Sequence, residues 1–125
     1  MYANIVKVMS TQNTLFFICS YFVGPVGDRV FAVLGTDRVL YTPIDSSVGK
    51  EYAVRVVRKS AWNVSMVKVR KYGGLARYTI PRQFAKQLGV SRGDRLLVLG
   101  IDDGLYAIPL RYVVEKIGGF REPML

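Results

Sequence analysis

The chain has 125 residues, 50% of them hydrophobic, and a formal net charge of +9. This length suits one compact domain, and the hydrophobic share is too high for a disordered chain. With Cys19 as the single cysteine and no histidine, an intramolecular disulfide, a Cys/His zinc site and a nucleophile–histidine triad are excluded. We therefore predict a protein that is not an enzyme and that binds no metal and no cofactor.

The longest apolar stretch runs from Leu15 to Val26 and is interrupted by Ser20, Gly24 and Pro25. A membrane helix needs roughly 20 apolar residues, so this stretch is too short to span a bilayer. It also lacks the basic start and the small-residue cleavage pattern of a signal peptide. We predict a buried strand here, and a cytoplasmic protein that does not contact a membrane.

In the first 69 residues, runs rich in Val, Ile, Tyr and Phe alternate with turn residues. Such runs are typical of β-strands, and the turn residues between them mark the ends of each strand. In the last run, alternation places Met66, Lys68 and Arg70 on one face and Val67 and Val69 on the other. The predicted strands are Leu15–Val23, Arg29–Leu34, Val39–Thr42, Glu51–Val57 and Asn63–Val69.

A short helix is predicted between two Gly- and Pro-marked boundaries in the second half of the chain. Pro81 suits the first helical position, because its missing N–H would have no partner there. Arg82–Leu88 continues the helix, and Gly89 ends it as a left-handed cap. After it we predict two strands and one further short helix, at Asp94–Leu99, Leu105–Ile108 and Tyr112–Ile117.

Positive charge is concentrated between Val54 and Arg82, where eight basic residues occur without an acidic one. Such a block creates a local positive potential that favours a polyanionic partner, with a solubilising surface as the alternative. Its first three members either extend that contact or protect an exposed edge strand. The eight residues are Arg55, Arg58, Lys59, Lys68, Arg70, Lys71, Arg77 and Arg82.

Two stretches of the chain carry the same ordered series of turn and strand markers. Gly27-Asp28-Arg29 precedes Val33-Leu34-Gly35, just as Gly93-Asp94-Arg95 precedes Val98-Leu99-Gly100. Ordered recurrence of this kind favours a degenerate tandem duplication, although Gly-Asp turns also recur by chance. We accordingly divide the chain into a β-rich N-terminal unit at 1–62, a second unit at 63–110 and a tail at 111–125.

The segment from Val69 to Pro81 reads VRKYGGLARYTIP, and Leu88-Gly89-Val90 and Gly93-Asp94 follow it. Together these motifs resemble the SpoVT/AbrB family, the swapped-hairpin AbrB/MazE-type DNA-binding domains. The resemblance covers about a third of the chain well. It implies a mainly β protein with one or two short helices, in which hairpins are exchanged to form an AbrB-type β-barrel. The exchange takes place either between two copies within one chain or between two chains.

The resemblance also implies which residues contact DNA. By position, Arg70, Lys71 and Arg77 match the family's basic residues, and Gly73 and Gly74 form the loop whose backbone approaches the duplex closely. Further candidates are Lys68 on the same strand and Arg82 and Lys86 on the following helix.

The first copy lacks the basic residues that the second copy carries. It has Met9, Ser10 and Phe16 or Phe17 where the second copy has Arg70, Lys71 and Arg77. We therefore expect a single basic face per chain, which would pair again with another copy to grip a site.

From these residues we predict a transcriptional regulator that binds double-stranded DNA in a sequence-dependent way as a homodimer or a higher oligomer. One alternative is an antitoxin-like module that binds a protein partner, since the same fold serves that role. Another is a structural protein that stacks single-stranded bases on aromatic side chains, although burial in the core is the more ordinary role for them. Those aromatic residues are Phe16, Phe17, Tyr21, Phe22 and Trp62.

Overall fold

A computed structural model describes residues 1–57 and 63–121, and the side chains of these residues except at 55–57 and 116–121. Ten strands and three helices lie within these residues. In chain order they are β1 (Tyr2–Lys7), β2 (Met9–Thr11), β3 (Thr14–Cys19), β4 (Arg29–Leu34), β5 (Val39–Pro43), α1 (Ser47–Val57), β6 (Val64–Lys68), β7 (Arg70–Tyr72), β8 (Leu75–Ile80), α2 (Arg82–Leu88), β9 (Arg95–Ile101), β10 (Gly104–Pro109) and α3 (Leu110–Arg121).

The strands form two antiparallel sheets, so the prediction of a mainly β protein is confirmed. The larger sheet has the order β1-β9-β10-β5-β4-β6 and the smaller one the order β2-β3-β8-β7. The predicted closed barrel is wrong for the part of the chain that the structure describes. In each sheet the two outermost strands have one neighbouring strand only, so the hydrogen bonds between strands do not close either sheet into a barrel.

Both sheets are built by both halves of the chain. The first strand of the chain, β1, pairs with β9 of the second half, and β6 of the second half pairs with β4 of the first. In the smaller sheet β3 pairs with β8. The strands β1–β5 of the first half correspond in order to β6–β10 of the second. If each strand is exchanged with its counterpart, the strand order of both sheets is unchanged. Among the elements of residues 1–57 and 63–121, α2 is the one without a counterpart, because residues 20–28 of the first half form turns and bends there.

A cluster of aromatic rings fills the space between the sheets. Phe17, Tyr41 and Tyr78 lie with their ring centroids 5.2–5.6 Å apart. The Tyr41 hydroxyl donates to the carbonyl oxygen of Thr79 at 2.9 Å, and the Tyr78 hydroxyl donates to that of Tyr21 at 2.6 Å. Hydrogen bonding at the rim lets both tyrosines be buried without an unpaired hydroxyl. Cys19 belongs to the same core, and burial raises the pKa of its thiol.

The strand predicted over residues 51–57 is wrong, because this segment belongs to helix α1. Its side chains include Tyr52 and Val54, which favour strands. However, the hydroxyl oxygen of Ser46 accepts the N–H of Gly49 at 2.9 Å, and the Ser46 carbonyl accepts the N–H of Lys50. This N-cap satisfies backbone groups at the helix start and outweighs the modest strand propensity.

The predicted helix Arg82–Leu88 is confirmed as α2, and Gly89 caps it in the left-handed conformation at φ +66°. Pro81 is the capping residue before the helix rather than its first residue. The last predicted helix is longer than expected, since α3 begins at Leu110 and continues to Arg121. Within the described ranges, no helix combines the length and the apolar character that crossing a membrane requires.

Candidate nucleic-acid interface

The chain passes from the larger sheet to the smaller one at Val69, between three exposed cations. Lys68 ends β6, and Arg70 and Lys71 begin β7. Val69 itself is fully buried, and its N–H donates to the Asp28 carbonyl at 2.9 Å. Because the backbone is fixed at this point, the cations on either side project from a rigid bend rather than from a loose loop.

Arg77 lies directly opposite Arg70, in the neighbouring strand β8. Its guanidinium group stands 3.8 Å above the ring centroid of the buried Phe16. Like charges that face each other across two strands are destabilising, so this arrangement favours an external anion between them. The stacking on Phe16 holds the guanidinium plane in place, which reduces the entropy lost on contact.

The tip of the β7–β8 hairpin is formed by Gly73 and Gly74. Gly73 has φ +61°, a backbone conformation that residues with a Cβ rarely adopt. A Cβ at either glycine would meet no atom within 4 Å, so the tip stands clear of the rest of the protein. Tyr72 and Leu75 flank it and are exposed. The tip therefore presents bare backbone at the end of a basic hairpin.

Four of the six predicted DNA-binding side chains come together around one shallow pocket of about 390 Å³. None of these four side chains forms an ion pair with a carboxylate in the described part of the chain, where the ion pair found is Arg38–Asp37. The pocket is lined by Val26, Gly27, Lys68, Val69, Arg70, Lys71 and Arg77.

The other two predicted side chains, Arg82 and Lys86, lie elsewhere. Both are exposed on α2, one turn apart, and they line a separate pocket of about 660 Å³. That pocket is also lined by Gln12 and Asn13, which form the turn between β2 and β3. The two basic groups therefore lie towards different ends of β8, not in a single cluster.

The structure adds Arg29, which the sequence analysis did not assign to the site. It is exposed and pairs in register with Lys68 across β4 and β6. The turn Gly27-Asp28 that precedes it was visible in the sequence, but the pairing of β4 with β6 was not. Among the other predicted cations, Arg58 and Lys59 lie outside the described residues. Arg55 lies on α1, not on the strands that carry this cluster.

No protein-family model, no curated protein and no solved structure matches this chain. In the described residues, no group of three or more His, Cys, Asp or Glu side chains is arranged to hold a metal ion.

Proposed function

We propose that this chain binds double-stranded DNA and acts as a transcriptional regulator built on the swapped-hairpin AbrB plan. One observation carries the proposal: Arg29, Lys68, Arg70, Lys71 and Arg77 occupy adjacent strands, and none of them is ion-paired with a described carboxylate. Five cations on a short, rigid element suit the closely spaced phosphates of a duplex.

The swapped-hairpin part of the proposal is supported by two matching junctions. At one, the N–H of Gly27 donates to the Val69 carbonyl, and the N–H of Val69 to the Asp28 carbonyl, at 2.8 and 2.9 Å. At the other, Gly93 donates to Val8 and Val8 to Asp94, at 2.9 and 2.7 Å. The two glycines have φ values of +92° and +93°. Such detailed recurrence is what a tandem duplication folded as a pseudo-dimer would produce.

In the proposed complex, the β7–β8 hairpin approaches the duplex, and its residues contact either base edges or phosphates. Arg70 and Arg77 are the side chains suited to base edges, since a guanidinium group can bind guanine through two hydrogen bonds. The phosphates are bound by Lys68 and Lys71 through single ammonium charges and by Arg29 through its planar guanidinium group. Gly73 and Gly74 leave room for the backbone to come close. Because one hairpin per chain is basic, a site with two half-sites is bound by two chains.

Binding of single strands by the N-terminal aromatic side chains has less support. Phe17 is fully buried and Phe16 is 4% exposed, so neither ring is available for stacking on a base. Phe22 is exposed, but it stands in the loop after β3 and not on the strands that carry the cations. Trp62 lies outside the described residues. We therefore place the contact on the cations.

The test is a gel-shift assay that measures the affinity for a duplex at increasing salt concentrations. It compares three proteins, which are wild type, Arg70→Ala/Lys71→Ala and Lys50→Glu. The first variant removes two charges from the hairpin, and both side chains are exposed, so folding is preserved. Lys50→Glu lowers the net charge by the same two units at an exposed position of α1, outside the hairpin. We expect the hairpin variant to lose about tenfold or more in affinity, with a salt slope lower by about 0.9, because Lys71 is the member of the pair that binds a phosphate.

Equal affinity and slope in the hairpin and Lys50→Glu variants would show that only net charge matters and would overturn the proposed site. A single-stranded oligonucleotide of the same sequence forms the second arm. Tighter binding to that strand than to the duplex would replace the proposal by the single-strand alternative.

A further inference from the structure

A second cross-strand pair of cations lies at the opposite corner of the larger sheet. Lys7, the last residue of β1, pairs in register with Arg95, the first residue of β9. Both side chains are exposed, and neither forms an ion pair with a described carboxylate. The nearby carboxylate of Asp94 instead accepts the backbone N–H of Ser91 at 2.9 Å. This pair corresponds to Lys68 and Arg29 in the exchanged halves.

All four of these cations point to the same side of the larger sheet. Residues that face each other in an antiparallel pair project to the same face, and neighbours along a strand project to opposite faces. Val30 and Leu96, which follow the two arginines, are buried against the smaller sheet. Both arginines and their lysine partners therefore project to the outer side, with the lysines on the edge strands.

The pairing registers give the distance between the two corners. Followed through β10 and β5, they place Arg29 about eight residues further along the strand direction than Arg95, and the pairs about four strand spacings apart. With roughly 3.3 Å per residue and 4.8 Å per strand, the pairs are about 33 Å apart. This is close to one turn of B-form DNA, about 34 Å.

Two like-charged pairs at matching corners call for a common cause, because each pair alone costs stability. The hairpin next to Lys68 is basic, whereas β2, next to Lys7, begins with Met9 and Ser10. We propose that Lys7 and Arg95 form a second contact to the phosphates of the same duplex, one helical turn from the contact of Lys68 and Arg29 beside the β7–β8 hairpin. This contact carries no base recognition, and the inference rests on the proposed function.

The test uses the full chain and two duplexes that contain the same bound sequence, one of about 8 base pairs and one of about 24. The short duplex reaches the hairpin corner only, whereas the long one reaches both. For Lys7→Ala/Arg95→Ala we expect wild-type affinity on the short duplex. On the long duplex we expect about a threefold loss or more per contact and a salt slope lower by about 0.9 per phosphate. Lys50→Glu is again the control with the same charge change.

Three results would overturn the second contact. They are equal affinity of the Lys7→Ala/Arg95→Ala and Lys50→Glu variants on the long duplex, an equal loss on both duplexes, and an unchanged salt slope. In each of these cases wild type still binds, and Arg70→Ala/Lys71→Ala still binds less tightly, so the proposed function survives. Absence of duplex binding by wild type would overturn both. The thermal unfolding midpoint of the Lys7→Ala/Arg95→Ala variant is measured as well. A midpoint no lower than that of wild type shows that a loss of affinity comes from the lost contact and not from unfolding.

Discussion

The guanidinium group of Arg77 stands 3.8 Å above the ring of Phe16, and the two residues hold the same place in their strands, third in β8 and third in β3. The contact joins the two halves of the chain on the outer face of the smaller sheet. It has a cost as well, since Nε of Arg77 is buried without a hydrogen-bond partner. Packing and charge at this position are therefore separable by substitution.

Replacing Arg77 with methionine should separate these two roles. Methionine keeps an unbranched apolar stem over Phe16 and removes the unpaired N–H, so we expect an unfolding midpoint at or above that of wild type. Loss of the guanidinium group should weaken duplex binding by about tenfold or more, from the 1–3 kcal/mol of a bidentate base contact. Arg77→Ala is the comparison, and it should lose both stability and affinity. Wild-type affinity in Arg77→Met would exclude Arg77 from the contact.

Arg111, in the first turn of α3, forms hydrogen bonds to the backbone at the end of α2. Its Nη1 donates to the Gly89 carbonyl at 2.9 Å, and its Nη2 donates to the Leu88 carbonyl. These carbonyls have no partner within the helix, so Arg111→Ala should lower the free energy of unfolding by about 1–2 kcal/mol. Urea unfolding followed by circular dichroism measures this. Arg92→Ala, an exposed cation on the loop after α2, is the control, and a midpoint equal to that control would contradict the role.

Gly49 has no room for a side chain. A Cβ there would lie 2.0 Å from the carbonyl oxygen of Pro43, which is backbone and cannot turn aside. We expect Gly49→Ala to destabilise the protein by about 3 kcal/mol, the upper end for overpacking, or to prevent folding. Gly74→Ala is the matched substitution, because a Cβ there meets nothing within 4 Å. Similar thermal midpoints for the two variants would show that α1 can shift on β5 at little cost.

The buried tyrosines should make the fold sensitive to alkali. Burial raises the pKa of the Tyr41 and Tyr78 phenols well above their ordinary value. Above about pH 10 the unfolded chain loses these protons while the folded protein keeps them, so stability is complete below that pH and falls above it. Each tyrosine contributes about 1.4 kcal/mol per pH unit to this fall.

Tyr41→Phe tests this pH dependence. At neutral pH the variant should be less stable by about 1 kcal/mol, because the hydrogen bond to Thr79 is lost. Between about pH 10 and pH 11.5 its stability should fall less steeply than that of wild type, by one tyrosine's share. Urea titrations at several pH values measure both quantities. Parallel curves for the two proteins would show that Tyr41 does not retain its proton in the folded state.

Local patterns in the sequence predicted most of the strands and the helix α2. Alternation and Gly or Pro boundaries act within a few residues, so strands such as β4 and β5 and the cap at Gly89 could be found without the fold. Helix α1 could not, because Tyr52 and Val54 favour strands and the deciding interaction is the cap formed by Ser46. The closed barrel was expected from the resemblance alone, and the pairing of edge strands is decided by contacts distant in sequence.

The candidate site divides in the same way. Lys68, Arg70, Lys71 and Arg77 are near one another in the chain and belong to one bend and hairpin, so their clustering was predictable. Arg29 joins them through the pairing of β4 with β6, which the sequence does not reveal. Arg82 and Lys86 are close to Arg77 in the sequence, which favours grouping them with the hairpin. In the fold, the extended residues 78–80 of β8 carry the chain away from the hairpin before α2 begins.

The exchange of strands between halves also governs when this protein can fold during its synthesis. A nascent chain that has reached the end of α1 holds β1 without β9, β3 without β8, and β4 without β6. Those strands have exposed edges until β6, β8 and β9 have been added, the last of which ends at Ile101. Each missing pairing closes a long loop. We therefore expect the native sheets to be completed only after β9 has been synthesised, and we expect slow folding for a domain of this size, because many of its contacts join residues distant in sequence.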